Sequence, residues 1–296
     1  MRWNNRRRSD NVEFREGAAG AGLAGIAFVL IRFVMGRFGI GGVVVLVGGF
    51  FLLKQAGIDP LQMLGMGSSG GGSVSREAQN EEQDFVTAIV GSTEDVWTRL
   101  FRESGQQYPP PKVVVFKQGT TSGCGSASAA SGPFYCPADQ TIYFDLAFFD
   151  ELGRRFGAPG DFAQAYVIAH EVGHHIQTIT GTSSQVRSLQ QRANQTEQNL
   201  LQVKMELQAD CYAGVWAYHA DRNTNLGRIL EGDFEVDEAI AAAQAIGDDT
   251  LQRNAGRRVN QESFTHGSSD QRTRWFRTGL QTGSVEACNT FEARSL

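Results

Sequence analysis

Two histidines and a glutamate in His170-Glu171-Val172-Gly173-His174 have the types and the spacing of a metal site. On an α-helix the two histidines lie one turn apart on the same face, where their imidazoles can bind one tetrahedral Zn²⁺. The carboxylate of Glu171 lies too far round the helix to bind the same ion, but it can take a proton from water beside it. Because the chain has only five histidines in 296 residues, this spacing rarely arises by chance. The segment predicts one zinc ion per chain, with Glu171 as a catalytic base.

A catalytic zinc site uses three protein ligands and leaves the fourth position open. Glu206 is the best candidate for the third ligand, because Asp210 follows it four residues later on the same face of a predicted helix. In this arrangement Glu206 binds the metal, and Asp210 accepts a hydrogen bond from a ligand histidine and fixes its tautomer. Geometry alone also allows the reverse assignment, with Asp210 as the ligand. Apolar neighbours such as Leu207 and Trp216 predict a buried helix, in which an unpaired carboxylate is costly.

Other polar residues are candidates for supporting roles. His266 precedes a predicted helix start and can donate a hydrogen bond to the oxyanion that forms when water attacks a peptide carbonyl. A capping or packing role explains His266 equally well. Arg272 can pair with one of the site carboxylates. His175 lies away from the ligand face and is expected to pack or to support a ligand.

The elements that must position these residues predict a helix-rich α+β domain with a small β-sheet. Asp161 is expected to cap the helix that carries His170. Residues 82–103 have helical spacing, with a break expected at 91–93. Residues 112–117 and 140–145 are rich in β-branched or aromatic side chains and are predicted strands. By analogy with zinc peptidases, 140–145 is a candidate for an edge strand that pairs with an extended peptide, and an ordinary hairpin strand is the alternative.

The N-terminal part has a different composition. Residues 1–16 contain five arginines and are expected to be disordered. Two apolar runs follow, 17–31 and 38–53, and each is shorter than the roughly 20 residues of a membrane helix. The second run reaches spanning length if the residues before it enter the headgroup zone, which predicts one transmembrane helix. The arginines on its N-terminal side place the N-terminus in the cytoplasm and the rest of the chain outside. A membrane hairpin of both runs, with a cytoplasmic catalytic domain, is the alternative.

Four segments follow from this pattern. They are a basic cytoplasmic segment with an apolar lead-in at 1–33, a transmembrane anchor at 34–55, a Gly/Ser-rich linker at 56–75 and a metallopeptidase domain at 76–296. The linker composition is typical of a flexible coil. No small-residue cleavage site follows the apolar run, which favours a retained anchor over a removed signal peptide.

Charge and cysteine content limit the partners and the compartment. A net charge of -5 leaves no basic surplus for phosphates, which argues against a nucleic-acid partner. The four cysteines allow three pairings. Cys124 with Cys136 and Cys211 with Cys288 are the favoured pairs, and two disulfides fit an extracytoplasmic domain.

Several segments resemble a bacterial family of neutral zinc metallopeptidases. They are Cys124-Gly-Ser, Gly-Pro-Phe-Tyr-Cys-Pro-Ala-Asp at 132–139, the run from Phe156 through His175, and Glu-Leu-Gln-Ala-Asp-Cys at 206–211. The resemblance implies a zincin-like α+β fold in a peptidase anchored to the bacterial inner membrane. It also implies that His170, His174 and Glu206 are zinc ligands and that Glu171 is catalytic.

These observations predict a membrane-anchored endopeptidase that hydrolyses peptide or protein substrates with zinc. A different class of function is a zinc-containing, membrane-tethered scaffold or chaperone-like protein without proteolytic activity. Glu171 distinguishes the two classes, because a structural zinc site has closed coordination and no use for a neighbouring base.

Overall fold

The computed structural model describes residues 1–15, 76–117, 119–128, 131–156, 160–222, 229–230 and 233–296. Met1–Glu16 and Glu81–Leu296 form one compact unit. In the ranges described, we find no helix that is both long enough and apolar enough to cross a membrane. The predicted anchor at 34–55 and the linker at 56–75 lie outside the described residues.

Helices and two small sheets make up this unit, so the predicted helix-rich α+β class is confirmed. The strands are β1 (Val12–Arg15), β2 (Lys112–Phe116), β3 (Gly119–Ser122), β4 (Gly125–Ser128), β5 (Phe134–Cys136) and β6 (Thr141–Asp145). The helices are α1 (Arg76–Glu103), α2 (Ala147–Phe156), α3 (Asp161–Ile179), α4 (Thr182–Gln190), α5 (Gln195–Asp221), α6 (Asp233–Ala245), α7 (Asp248–Asn254) and α8 (Ser269–Thr282). Short 3₁₀ turns occur at Gln261–Ser263 and Glu286–Cys288.

The main sheet has the strand order β1-β2-β6-β5. Strands β1, β2 and β6 are parallel to one another, and β5 is antiparallel to β6. The prediction that 140–145 is an edge strand is therefore wrong, because β2 and β5 occupy both sides of β6. The edge strand of this sheet near the metal helices is β5, and β3 and β4 form a separate hairpin.

Helices α3 and α5 carry the predicted metal residues and lie in direct contact. The contact is close at Gly173, where a Cβ would lie 2.9 Å from the Cα of Ala209. Glycine weakens a helix by up to about 1 kcal/mol relative to alanine, and here it allows the two backbones to approach. Phe162 and Trp216 stack between the same helices, with ring centroids 6.1 Å apart. This packing sets the distance between the histidines and the acidic residues.

The start of α3 differs from the prediction. Gly160 is the residue before the helix, with a φ of 134°, and Asp161 provides no side-chain cap. Instead, the Glu238 carboxylate of α6 accepts a hydrogen bond from the Phe162 N–H at 3.2 Å. The Asp161 carboxylate accepts a hydrogen bond from the Trp3 indole at 3.2 Å. Partners distant in the sequence have replaced the local cap.

Two other expectations are wrong for a related reason. Residues 1–15, expected to be disordered, include β1 and contact α1, and α1 continues through Gly91 without the expected break. Arg8 and Arg7 of this segment pair with carboxylates of α1 that lie 76 and 87 residues later in the chain. A local reading of composition does not detect such partners.

The two predicted disulfides are confirmed. Cys124 pairs with Cys136 and holds the β3-β4 hairpin to the edge strand β5. Cys211 pairs with Cys288 and holds the C-terminal 3₁₀ turn to α5, one residue after Asp210.

Candidate metal centre

The two histidines of α3 and Glu206 of α5 bring their side chains together. The Nε2 atom of His170 lies 3.2 Å from Oε2 of Glu206, and Nε2 of His174 lies 3.5 Å from the same oxygen. The possible ligand atoms of the three residues all lie within 4.8 Å of one another. They form a group that could hold a metal ion.

The donor set fits a zinc ion in type and spacing. Zinc binds imidazole nitrogen and carboxylate oxygen at about 2.0–2.2 Å in a tetrahedral arrangement. Two ligands of one tetrahedral centre at that bond length lie about 3.3 Å apart. The 3.2 and 3.5 Å separations between the Nε2 atoms and Oε2 of Glu206 agree with this value.

Asp210 lies beside the group and is fully engaged by other partners. Its Oδ1 atom lies 2.8 Å from Nδ1 of His170 and accepts a hydrogen bond from the Tyr166 hydroxyl at 2.5 Å. Arg272 of α8 donates to both carboxylate oxygens at 2.9 Å. Burial raises the pKa of Asp210, but the charges of Arg272 and His170 lower it more strongly, so that the carboxylate is ionised. These contacts favour Asp210 as the residue that orients His170, and Glu206 as the ligand.

His174 and Glu206 are oriented in the same way by glutamines. Gln177 donates from Nε2 to the Met205 carbonyl at 2.7 Å, so its Oε1 faces Nδ1 of His174 at 2.9 Å as an acceptor. His174 therefore carries its proton on Nδ1 and presents Nε2 to the group. Gln202 donates to Oε1 of Glu206 at 2.9 Å and leaves Oε2 to face the histidines.

The electrostatics of the group couple the three residues. Burial disfavours protonated His170, but the charge of Asp210 and hydrogen bonds to Asp210 and Glu206 raise its pKa to about 10. Burial also disfavours protonated His174, but the charge of Glu206 and its hydrogen bond raise the pKa of His174. Burial disfavours ionised Glu206, but the two histidines hold its pKa well below the ordinary value. Protons on the imidazoles must leave before a cation binds, so metal affinity should decrease at low pH.

Glu171 differs from its neighbours because its carboxylate makes no hydrogen bond to another described residue. Its side chain is buried, with 7% of the residue exposed, and it lines the same cavity as His170 and His174. Within the ranges that the structure describes, its carboxylate takes part in no hydrogen bond or ion pair. Because Glu171 lines the cavity next to two histidines, its carboxylate is placed to act on a molecule bound there.

The cavity in front of these residues has a volume of about 570 Å³. One wall is the edge strand β5, from which Phe134 and Tyr135 line the cavity. The Cys124–Cys136 disulfide fixes the end of this strand. The outer edge of a β-strand presents backbone N–H and C=O groups that an extended peptide can pair with.

His266 lines the same cavity but lies outside the His/His/Glu group. Its side chain is about half exposed (51%), and Nδ1 lies 3.3 Å from Oδ1 of Asp248. The hydrogen bond to Asp248 raises the pKa of His266, although burial acts against it. His266 lies just before α8, which begins at Ser269, so its predicted position before a helix start is confirmed.

His175 faces away from the metal group and supports the edge strand. Its Nε2 atom donates to the Pro109 carbonyl at 2.7 Å, and burial lowers its pKa, so the ring is neutral. Nδ1 is then an acceptor, and the Tyr135 hydroxyl donates to it at 3.2 Å. His175 therefore connects α3 to β5.

Sequence reasoning missed several of the supporting residues. Tyr166, Gln177 and Gln202 have no assigned role in the sequence analysis. Gln177 and Gln202 lie three and four residues from the ligands that they contact, on the same helix face, and a search for polar side chains at that spacing would have identified them. Tyr166 contacts Asp210 across two helices, and local spacing gives no signal for it.

The fold and the site together define a helix-rich α+β protein whose two central helices carry a His/His/Glu centre suited to a metal ion. A family model described as "Putative neutral zinc metallopeptidase" matches residues 1–291. The chain belongs to this family.

Its relatives include proteins from two bacteria. "Uncharacterized protein YpfJ" of Escherichia coli strain K12 is 46% identical over 295 residues, which cover 98% of this chain and 99% of the relative. "Uncharacterized protein Rv2575" of Mycobacterium tuberculosis strain H37Rv is 42% identical over 226 residues, 74% of each chain. No solved structure matches the chain.

Proposed function

We propose that the chain is a zinc-dependent endopeptidase that hydrolyses peptide bonds in peptides or proteins. The family description supports both the metal and the peptidase class. The donor set and spacing of His170, His174 and Glu206 support one zinc ion per chain. The observation that carries the proposal is the Glu171 carboxylate, which lines the cavity beside them and has no hydrogen-bond or ion-pair partner among the described residues.

Each side chain of the site has a role in this reaction. Zinc held by the three ligands would polarise the peptide carbonyl and make water more acidic. Glu171 accepts the proton of the attacking water and later delivers it to the leaving amine. Asp210 and Gln177 keep Nε2 of the two histidines directed at the ligand group. A scaffold protein would need the ligands but not Glu171.

The substrate is proposed to bind as an extended chain along β5. Strand addition gives affinity through backbone hydrogen bonds and is largely independent of side-chain identity. Phe134 and Tyr135 of β5 line the same cavity as Glu171 and the histidines, which supports this edge as the substrate-binding strand. An extended peptide on β5 would therefore pass across the metal group.

Removal of the metal should abolish the activity reversibly. We expect the purified full chain to contain one zinc ion and to cleave an unfolded protein substrate, and a chelator to stop this cleavage. Because Asp210, Gln177 and Gln202 hold the ligands from outside the group, the site should accept zinc again. Elemental analysis and cleavage rates before and after zinc addition measure this. A chelator that removes zinc without slowing cleavage would contradict the proposal.

Cleavage is expected to decrease at alkaline pH as His266 loses its proton. Nδ1 of His266 lies 3.3 Å from Oδ1 of Asp248 and 3.1 Å from the Thr265 hydroxyl. When Nδ1 donates to Asp248, a neutral ring has no proton on Nε2, so Nε2 can donate to an oxyanion only while the ring is a cation. The raised pKa of His266 keeps the ring protonated to a higher pH than usual. Cleavage should therefore fall as the pH rises through that pKa. Asp248→Asn removes the charge and should move the fall in kcat/KM to lower pH.

His266→Ala is the companion variant for the same measurement. It should lower kcat by about 10²–10³ and remove this pH dependence. An alkaline limb of the kcat/KM profile that is the same in the parent, Asp248→Asn and His266→Ala proteins would exclude the role of His266.

A further inference from the structure

Residues Met1–Arg15, here named the N-terminal clamp, occupy one face of α1. The face consists of Asp84, Thr87, Gly91 and Glu94, which recur every three or four residues. The Ser9 N–H donates to the Thr87 carbonyl at 3.0 Å. Gly91 has no side chain where the clamp crosses, and a Cβ there would overlap the carbonyl oxygen of Arg7. The helix is therefore shaped to receive the clamp.

The charges of the clamp and of α1 are complementary. Arg8 donates twice to the Asp84 carboxylate at 2.6 Å, and this hydrogen bonding lowers the pKa of Asp84. Arg7 donates to Glu94 at 2.5 Å. Glu94 is buried and also accepts hydrogen bonds from the clamp residues Ser9 and Asn11 at 2.6 and 2.7 Å. Without the clamp, Glu94 would be a buried charge without these partners, which is strongly unfavourable.

The clamp also contacts both helices of the metal centre. The Trp3 indole is buried against Phe85 and donates to Asp161 at the start of α3. Arg6 is buried and donates to the Ala220 carbonyl near the end of α5 at 3.2 Å. Strand β1 then adds to the main sheet beside β2. The clamp is thus part of the same core as the metal group.

We infer that the clamp and the metal-binding unit lie in one compartment, on the same side of any membrane. Backbone pairing between β1 and β2 and burial of Trp3 and Arg6 require direct contact. A chain whose residues 15 and 81 lie on one side crosses a membrane between them an even number of times, zero included. The single span expected from the sequence would separate the clamp from α1 and is incompatible with this fold.

The arginines that suggested a cytoplasmic N-terminus have a structural explanation. Arg7 and Arg8 are neutralised by Glu94, Asp95 and Asp84 of α1. The two disulfides favour an oxidising compartment for the metal-binding unit. The clamp and the unit are therefore placed together outside the cytoplasm.

Thiol labelling in intact cells tests the shared compartment. The four native cysteines are all in disulfides, so one introduced cysteine is the only free thiol. Asn5→Cys in the clamp and Gln107→Cys after α1 are exposed and uncharged positions. Both should react with a membrane-impermeant maleimide in spheroplasts as fully as after lysis. Reaction of one but not the other overturns the inference, and protection of both keeps the shared compartment but overturns its extracytoplasmic placement.

Gly91→Ala tests whether the clamp docks on α1, because docking decides whether the melting temperature of the full-length protein falls or rises. Alanine stabilises a helix relative to glycine, so the melting temperature should rise if the clamp is not docked. It should fall if the clamp is docked, because the new Cβ meets the Arg7 carbonyl. Arg8→Asp should also lower the melting temperature, and Asp84→Arg in the same chain should recover part of the loss. A rise with Gly91→Ala and no recovery in the charge exchange would contradict the inference.

Discussion

Replacing Glu171 with glutamine is expected to reduce peptide cleavage by about two or more orders of magnitude while zinc content and folding are retained. The amide has the shape of the carboxylate but cannot accept the proton of water, and general acid–base catalysis contributes about 10²–10⁴ in rate. Because the carboxylate has no hydrogen-bond partner among the described residues, the substitution breaks no contact there. Cleavage of an unfolded protein substrate, elemental analysis and circular dichroism measure the three quantities.

A matched control separates this effect from a general loss of charge. Glu262→Gln changes an exposed glutamate away from the cavity and should leave the cleavage rate unchanged. Cleavage by Glu171→Gln at the parent rate would show that the activity uses another site or comes from a contaminant. The scaffold function would then be favoured over the peptidase function.

Asp210→Ala is expected to lower the free energy of unfolding by about 3–5 kcal/mol, the cost of leaving one member of a buried ion pair without its partner. Arg272 is 2% exposed and donates two hydrogen bonds to this carboxylate. The Tyr166 hydroxyl and Nδ1 of His170 lose the same acceptor. Denaturant unfolding of the metal-free protein measures the effect without a contribution from zinc release.

The control removes both charges of the pair. Asp210→Leu with Arg272→Met replaces the ions by apolar side chains, and it should recover much of the stability that Asp210→Ala loses. It should not restore zinc affinity, because His170 still lacks the acceptor that orients it. A loss below about 1 kcal/mol for Asp210→Ala would show that Arg272 reaches water or another acceptor when the carboxylate is absent.

Features that depend on neighbours in the chain were predictable from the sequence. Residues four apart lie on the same face of an α-helix, so the sequence placed His170 beside His174 and Glu206 beside Asp210. The helix-rich class and the extent of β2 and β6 follow from local composition in the same way. The Cys124–Cys136 disulfide closes a short loop, with a sequence separation of 12, and was predictable in the same way. The Cys211–Cys288 pair was also predicted, but it joins residues 77 apart and required the C-terminal tail to fold back over α5.

Contacts between distant segments decided the remainder. Analogy with zinc peptidases suggested 140–145 as an edge strand, but β2 and β5 pair with both its sides. The cap of α3 comes from Glu238, and the acceptor that His170 needs is held by Arg272, sixty-two residues after Asp210. The arginines of residues 1–15 suggested a disordered, cytoplasmic tail. In the structure, Arg7 and Arg8 form ion pairs with carboxylates of α1. Helical period and strand propensity act over a few residues, whereas the partner of a buried charge or a strand is chosen by packing of the whole chain.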